Sequence, residues 1–225
     1  MDQLFWTLVM GGYVLSVVFA TRWTYGWMTR RGVEPVRAIY YNRKIIHMVG
    51  AGVSTLFVPL VFTDLWFPML GGIALGAFLF YTHASGQRLY WFQMEDNQND
   101  VSFAVMWWLT LAFLWWLLGD PWLAILPALF MAFGDGITGV IRNGLVRHRS
   151  KHPIGNVFMV LVSVPLAWVI GSQADPALPV WSVLAALASS VVERYEFGPI
   201  DDNILIGVTA TVLLWIGSIL GPITF

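Results

Sequence analysis

The sequence contains no cysteine. Disulfides, thiolate zinc sites, iron–sulfur clusters and cysteine nucleophiles are therefore excluded. It is also poor in charge: 11% of its 225 residues are Asp, Glu, Lys or Arg, while 58% are hydrophobic. Soluble domains carry roughly 25% charged residues, so a soluble protein of this length could not cover its surface with so few. An ordinary cytosolic enzyme, a disordered chain and a nucleic-acid binder built on a basic patch are excluded on that ground. What is abundant is apolar sequence, together with 13 Trp, the residue that anchors at membrane interfaces.

A helix needs about 20 apolar residues to cross the hydrocarbon layer. Eight runs approach that length: Leu4–Ala20, Ile45–Phe62, Leu65–Tyr81, Val101–Leu118, Pro121–Ile141, Asn156–Ile170, Val180–Val192 and Ile204–Ile219. They are continuously apolar rather than alternating, which argues against barrel strands. The expectation is an all-α polytopic transmembrane bundle of about eight spans, forming one integral membrane domain over residues 1–225. The first run is not expected to be a secretory signal, because Met1-Asp2-Gln3 supplies no basic flank and no convincing cleavage site follows.

The 12 Lys and Arg are distributed with a strict bias. Loop 1 holds Arg22, Arg30, Arg31, Arg37, Arg43 and Lys44; loop 3 holds Arg88; loop 5 holds Arg142, Arg147, Arg149 and Lys151; loop 7 holds Arg194. The even connections carry only Asp64, Asp120 and Asp175. The positive-inside rule then places the odd loops in the cytoplasm and both termini outside. A prokaryotic cytoplasmic membrane is the expected location.

Four polar clusters fall on that cytoplasmic side. Arg43, Lys44 and His47 open span 2; on a helix they share a broad face, and two cations with an imidazole suit a polyphosphate. As an alternative, Arg43 and Lys44 are anchors snorkelling to head groups. Gly134-Asp135-Gly136 lies within span 5, with Thr138, Gly139 and Arg142 on the face of Asp135. A carboxylate in a transmembrane segment is a functional candidate by default. Beside a hydroxyl it suits Mg²⁺, which takes few protein carboxylates plus substrate phosphates. Lys151-His152-Pro153-Ile154-Gly155-Asn156 opens span 6, where free N–H groups and the helix dipole favour an anion. Glu193 to Asn203 joins spans 7 and 8 with four acids, suited to a divalent metal or a general base; Asp202-Asn203 also reads as a cap for span 8. In loop 3, Arg88-Leu89-Tyr90-Trp91-Phe92 reads as an interfacial element in the head-group zone.

Taken in order, Arg43-Lys44-x-x-His47, Phe133-Gly134-Asp135-Gly136 with Thr138 and Gly139, Lys151-x-x-x-Gly155, and Glu193-x-Tyr195 leading to Asp202-Asn203 resemble the polyprenol kinase family. That family includes dolichol kinase, phytol kinase and a CTP-dependent diacylglycerol kinase. The resemblance covers residues 43 to 225. It implies a kinase that uses a nucleoside triphosphate, usually CTP, and Mg²⁺ to phosphorylate a lipid alcohol such as phytol, geranylgeraniol or dolichol. On that footing Arg43, Lys44, Gly134, Gly136, Thr138, Gly139, Arg142, Lys151, Gly155 and Asn203 are expected around the nucleotide. Asp135, Glu193 and Asp202 are expected at the metal. The general base is one of these acids or His47. The competing reading is a small ion- or proton-coupled transporter, with Asp135 and His47 as a relay.

Overall fold

Hydrocarbon offers backbone amides no partner, so apolar runs that cross it become helices. In the computed structural model, which describes residues 2–146 and 152–223, eight helical rods follow one another. They are α1 (Gln3–Arg30), α2 (Pro35–Val61), α3 (Trp66–Ala84), α4 (Asn99–Leu118), α5 (Pro121–Leu145), α6 (Ile154–Gly171), α7 (Pro179–Val192) and α8 (Asp202–Leu220). All but α7 are long and apolar enough to cross a membrane, and no β-strand occurs among the described residues. The chain is an all-α polytopic membrane bundle.

Hydrogen bonds between connections sort the two ends of the bundle. At one end Gln3 Nε2 donates to Asp64 Oδ2 (2.6 Å), the Asp175 amide to Asp120 Oδ2 (3.1 Å) and Trp181 Nε1 to the Gly221 carbonyl (3.0 Å). At the other, Arg37 donates to the Asn143 carbonyl, Arg43 Nη1 to Asn97 Oδ1 (3.2 Å) and the Ser102 hydroxyl to Asp201. The odd connections thus gather at one end, opposite the even ones. Although α7 has only 14 residues, it still joins the two ends, from Trp181 beside Gly221 to the segment ending at Glu193.

The innermost rod is α5, with 78% of its apolar window buried, against 11% for α1. Asp120 starts α5 by accepting from the Leu123 amide (2.8 Å), with Pro121 in the first turn, where its missing N–H costs nothing. Leu126, Leu129, Phe130 and Met131 then form the centre of the core. Both α2 and α5 are interrupted by π-helical turns, at Ile46–Gly52 and Phe130–Asp135. The two π turns touch, and Gly52 lies against the Phe133 ring. The expected 3.6-residue face of Arg43, Lys44 and His47 is therefore altered, because His47 already sits in a wider turn.

Three other expectations are corrected. Loop 1 is short, since α1 continues ten residues past the apolar run to Arg30; Thr21, Thr24 and Thr29 return their hydroxyls to helix carbonyls there. Of the loop 3 strip, Trp91 and Phe92 are not exposed at a surface but pack inside the bundle against Val18 and Leu79, whereas Tyr90 stays exposed. The reason is polar as well as apolar: Trp91 Nε1 donates to the Val18 carbonyl, and Asn42 Nδ2 to the carbonyls of Trp91 and Thr21. Finally, α8 is capped by Asp201, which accepts from the Ile204 amide (3.1 Å), rather than by Asp202 or Asn203.

Helices α3 and α4 approach closely at Gly72, where an added Cβ would overlap Trp108 and touch Trp107. Both atoms belong to bulky side chains fixed in the interface. Gly72→Ala should destabilise the bundle by about 1–3 kcal/mol, read as a lowered Tm in detergent; an unchanged Tm would show that the α3–α4 contact can open freely.

Candidate functional site

At the end where the odd connections gather, a cavity of about 280 Å³ opens between α2, α5, loop 3 and the start of α8. The last α-helical turn before the π segment of α2 brings Arg43 and Lys44 to it, and the π segment itself brings His47. Asp135 closes the π segment of α5, Glu193 follows the last turn of α7, and Asp202 lies in the first turn of α8.

Buried charges need partners, and two ion pairs supply them. Lys44 Nζ lies 2.5 Å from Asp135 Oδ2, both side chains being almost wholly enclosed. Arg142 grips Glu193 with two parallel bonds, Nη1 to Oε1 at 2.6 Å and Nη2 to Oε2 at 2.8 Å. Arg142 does more than this: its Nε donates to the His152 carbonyl (3.0 Å) and its Nη2 to Asn156 Oδ1 (3.1 Å). The Thr138 hydroxyl bonds to the Gly134 and Gly155 carbonyls. Arg142 and Thr138 therefore fasten the start of α6 and the end of α7 to α5.

The three carboxylates converge. Asp135, Glu193 and Asp202 each present an oxygen, and these oxygens lie within 4.8 Å of one another. Hard divalent cations take such oxygen donors, so the residues fit Mg²⁺. A second observation concerns unpaired atoms. Seven buried side-chain polar atoms lack a hydrogen-bond partner among the described residues. Four of them, Arg37 Nε, Arg43 Nε, His47 Nδ1 and Asn203 Oδ1, belong to residues lining this one cavity. Buried polar atoms are rarely left unmatched, and four of these seven gather at this one cavity.

A second, larger cavity of about 720 Å³ runs between α1, α2, α3 and α4. Its walls are apolar, with Val14, Leu15, Val58, Phe62, Leu75 and Phe103 among them. Arg43 and His47 belong to the walls of both cavities, so the apolar groove ends where the polar cavity begins. His47 is held there by a face-to-face stack on Phe103, with ring centroids 3.7 Å apart.

Of the residues singled out in the sequence, Arg43, Lys44, His47, Asp135, Arg142, Glu193, Asp202 and Asn203 all line the polar cavity. The glycines have other neighbours. Space beside Gly134 is filled by Ser163 and Met159, beside Gly136 by Met48, beside Gly139 by Tyr40 and Lys44, and beside Gly155 by Arg142. These glycines admit close side-chain packing from the protein itself. Lys151 lies outside the described residues. Sequence reasoning passed over Arg37, Tyr40, the loop 3 residues Asp96 and Asn97, and Asn99 at the start of α4, which line the cavity as well. Tyr40 stands four residues before Lys44 on the same helical face, a signal present in the sequence; Asn97, which accepts from Arg43, had only its place in a polar run.

Comparison with protein-family models, with curated proteins and with solved structures found no match to this chain.

Proposed function

We propose that this protein is a CTP-dependent kinase that phosphorylates the hydroxyl of a membrane-embedded lipid alcohol, a prenol or polyprenol. The observation that carries this reading is the junction of the two cavities at Arg43 and His47. An apolar groove open among four helices suits an isoprenoid tail, and the polar cavity it meets suits a triphosphate.

Phosphoryl transfer is mostly positioning and charge stabilisation. Asp135, Glu193 and Asp202 would hold Mg²⁺, which supplies charge neutralisation along the donor phosphates. Among the described residues the cavity is lined by Arg37, Arg43, Lys44 and Arg142 against Glu34, Asp96, Asp135, Glu193, Glu196 and Asp202, so a held divalent ion would offset the excess of carboxylates that a polyphosphate meets. Arg43 and Arg37, each with an unmatched Nε, contact the phosphates. The lipid hydroxyl lies at His47, whose Nδ1 is free of other bonds and takes the hydroxyl proton. The lipid oxygen bonds to the γ-phosphorus as the bond to the β–γ bridging oxygen breaks. The products are the lipid monophosphate and CDP. By the positive-inside rule this end of the bundle faces the cytoplasm, where the nucleotide is.

The test is incubation of the purified protein with labelled CTP or ATP, Mg²⁺ and a panel of prenols. Labelled prenyl phosphate with CTP is the expected result. No phosphorylated lipid from any donor, together with solute flux in liposomes, would favour a transporter instead. The groove has its own test. Gly12 lies on the groove wall, and a Cβ added there meets no atom within 4 Å. Gly12→Phe should leave the fold intact, project into the groove and raise KM for a long prenol by roughly tenfold or more. KM for CTP should not change; equal rises in both would remove the tail from this groove.

A further inference from the structure

The same geometry bears on how the metal enters. We infer that Lys44 is a built-in competitor for the divalent cation: its ammonium occupies Asp135 in the ligand-free protein and is drawn away by the donor's phosphates, so that metal and nucleotide bind together and the metal alone binds poorly. This rests on reading Asp135, Glu193 and Asp202 as metal ligands.

The two ion pairs of the site are not equivalent. Arg142 is fixed by bonds to Glu193, His152 and Asn156 at once, and a planar guanidinium engaged on several sides does not leave easily, so Glu193 would offer a metal only the lone pairs that Arg142 leaves unused. Among the described residues Lys44 Nζ has one hydrogen bond, to Asp135 Oδ2. It is a point charge on a flexible four-carbon stem. It also lies 5.2 Å from the centre of the Tyr40 ring, an attractive face for a cation, and both residues border the polar cavity. Lys44 can therefore exchange Asp135 for another anion in the cavity without leaving it. An ammonium at hydrogen-bond distance from a carboxylate oxygen lies where a metal ion bound to that oxygen would repel it.

The energetics couple the two ligands. A divalent ion arriving alone would strand the Lys44 ammonium, buried and beside a like charge, which is costly. A polyphosphate arriving with it gives Lys44 a new partner. The acidic cluster is not the sole sign of a ligand here. The imidazole Nδ1 of His47 and the amide oxygen of Asn203, both on side chains almost wholly buried and both at this cavity, lack partners among the described residues. Because coupling is reciprocal, the triphosphate must raise metal affinity by the same factor as the metal raises triphosphate affinity.

Mn²⁺ serves as the probe, with free ion measured by electron paramagnetic resonance on the full chain in detergent. Without nucleotide, Lys44→Met should bind Mn²⁺ about tenfold more tightly than wild type or better, and the enhancement that CTP gives wild type should shrink in the variant. Lys44→Gln replaces Lys44→Met with the same expectations if the methionine variant is not monodisperse. Equal Mn²⁺ affinity in wild type and the Lys44 variants, with affinity lost in Asp202→Asn, overturns the competitor role and leaves the metal site standing. Wild-type affinity in Asp202→Asn overturns the metal reading itself, and the competitor role with it.

Discussion

Replacing Arg142 by methionine should lower the stability of the bundle by about 3–5 kcal/mol, because it removes the guanidinium that holds both oxygens of the buried Glu193 carboxylate. The loss reaches further than one ion pair. Arg142 holds the His152 carbonyl and Asn156 at the start of α6 as well as Glu193 at the end of α7. Both helices should therefore loosen from α5 together. The measurement is thermal unfolding in detergent, where a fall in Tm of roughly 10 °C is expected for a chain of this size. Arg142→Met combined with Glu193→Gln should recover most of it, since the second change removes the buried charge. A double variant no more stable than the single one would show that the loss comes from the α6 contacts and not from Glu193. This prediction holds whatever reaction the site performs.

Under the proposed function, Asp135→Asn should lower the rate of CTP-dependent lipid phosphorylation by about a hundredfold to a thousandfold, the range seen when one group that stabilises developing charge is removed. An amide keeps the shape but gives up the charge a divalent ion needs. The variant also leaves Lys44 without its counter-charge, so stability should fall too. The double variant Asp135→Asn with Lys44→Met separates the two effects: it should fold as well as wild type and remain inactive. Near-normal turnover by Asp135→Asn at saturating Mg²⁺ and CTP would remove Asp135 from the metal site.

The bundle was legible because membrane insertion writes itself into sequence as long apolar runs, and each of the eight runs lies within or largely overlaps a rod. The alternation of cationic and acidic connections was equally plain, since charge is costly to carry across the hydrocarbon, and the bonds between connections follow the same alternation. Which charge meets which was not legible. Arg142 and Glu193 are 51 residues apart, and their meeting depends on how α5, α6 and α7 pack. The π turns at Ile46–Gly52 and Phe130–Asp135 have no periodic signature of their own, yet they set the register of His47 and Asp135. Asp201 and Asp202 are chemically alike, and only the backbone at the start of α8 makes one the cap and leaves the other in the cavity. Loop 3 misled because Trp91 and Phe92 beside Arg88 look like an amphipathic surface strip. The buried amide of Asn42, 49 residues away from Trp91, is what draws that segment inward.

The brevity of α7 has a consequence for the bilayer around it. Fourteen residues make a rod of only about 21 Å, against a hydrocarbon layer of about 30 Å. Lipids beside a short rod must thin or tilt to match it. One end of the rod is Glu193, which lines the polar cavity. A dimple of head groups and water at that end would lower the aqueous phase toward the carboxylates, and under the proposed function it would shorten the distance between a water-borne nucleotide and a lipid alcohol held in the membrane.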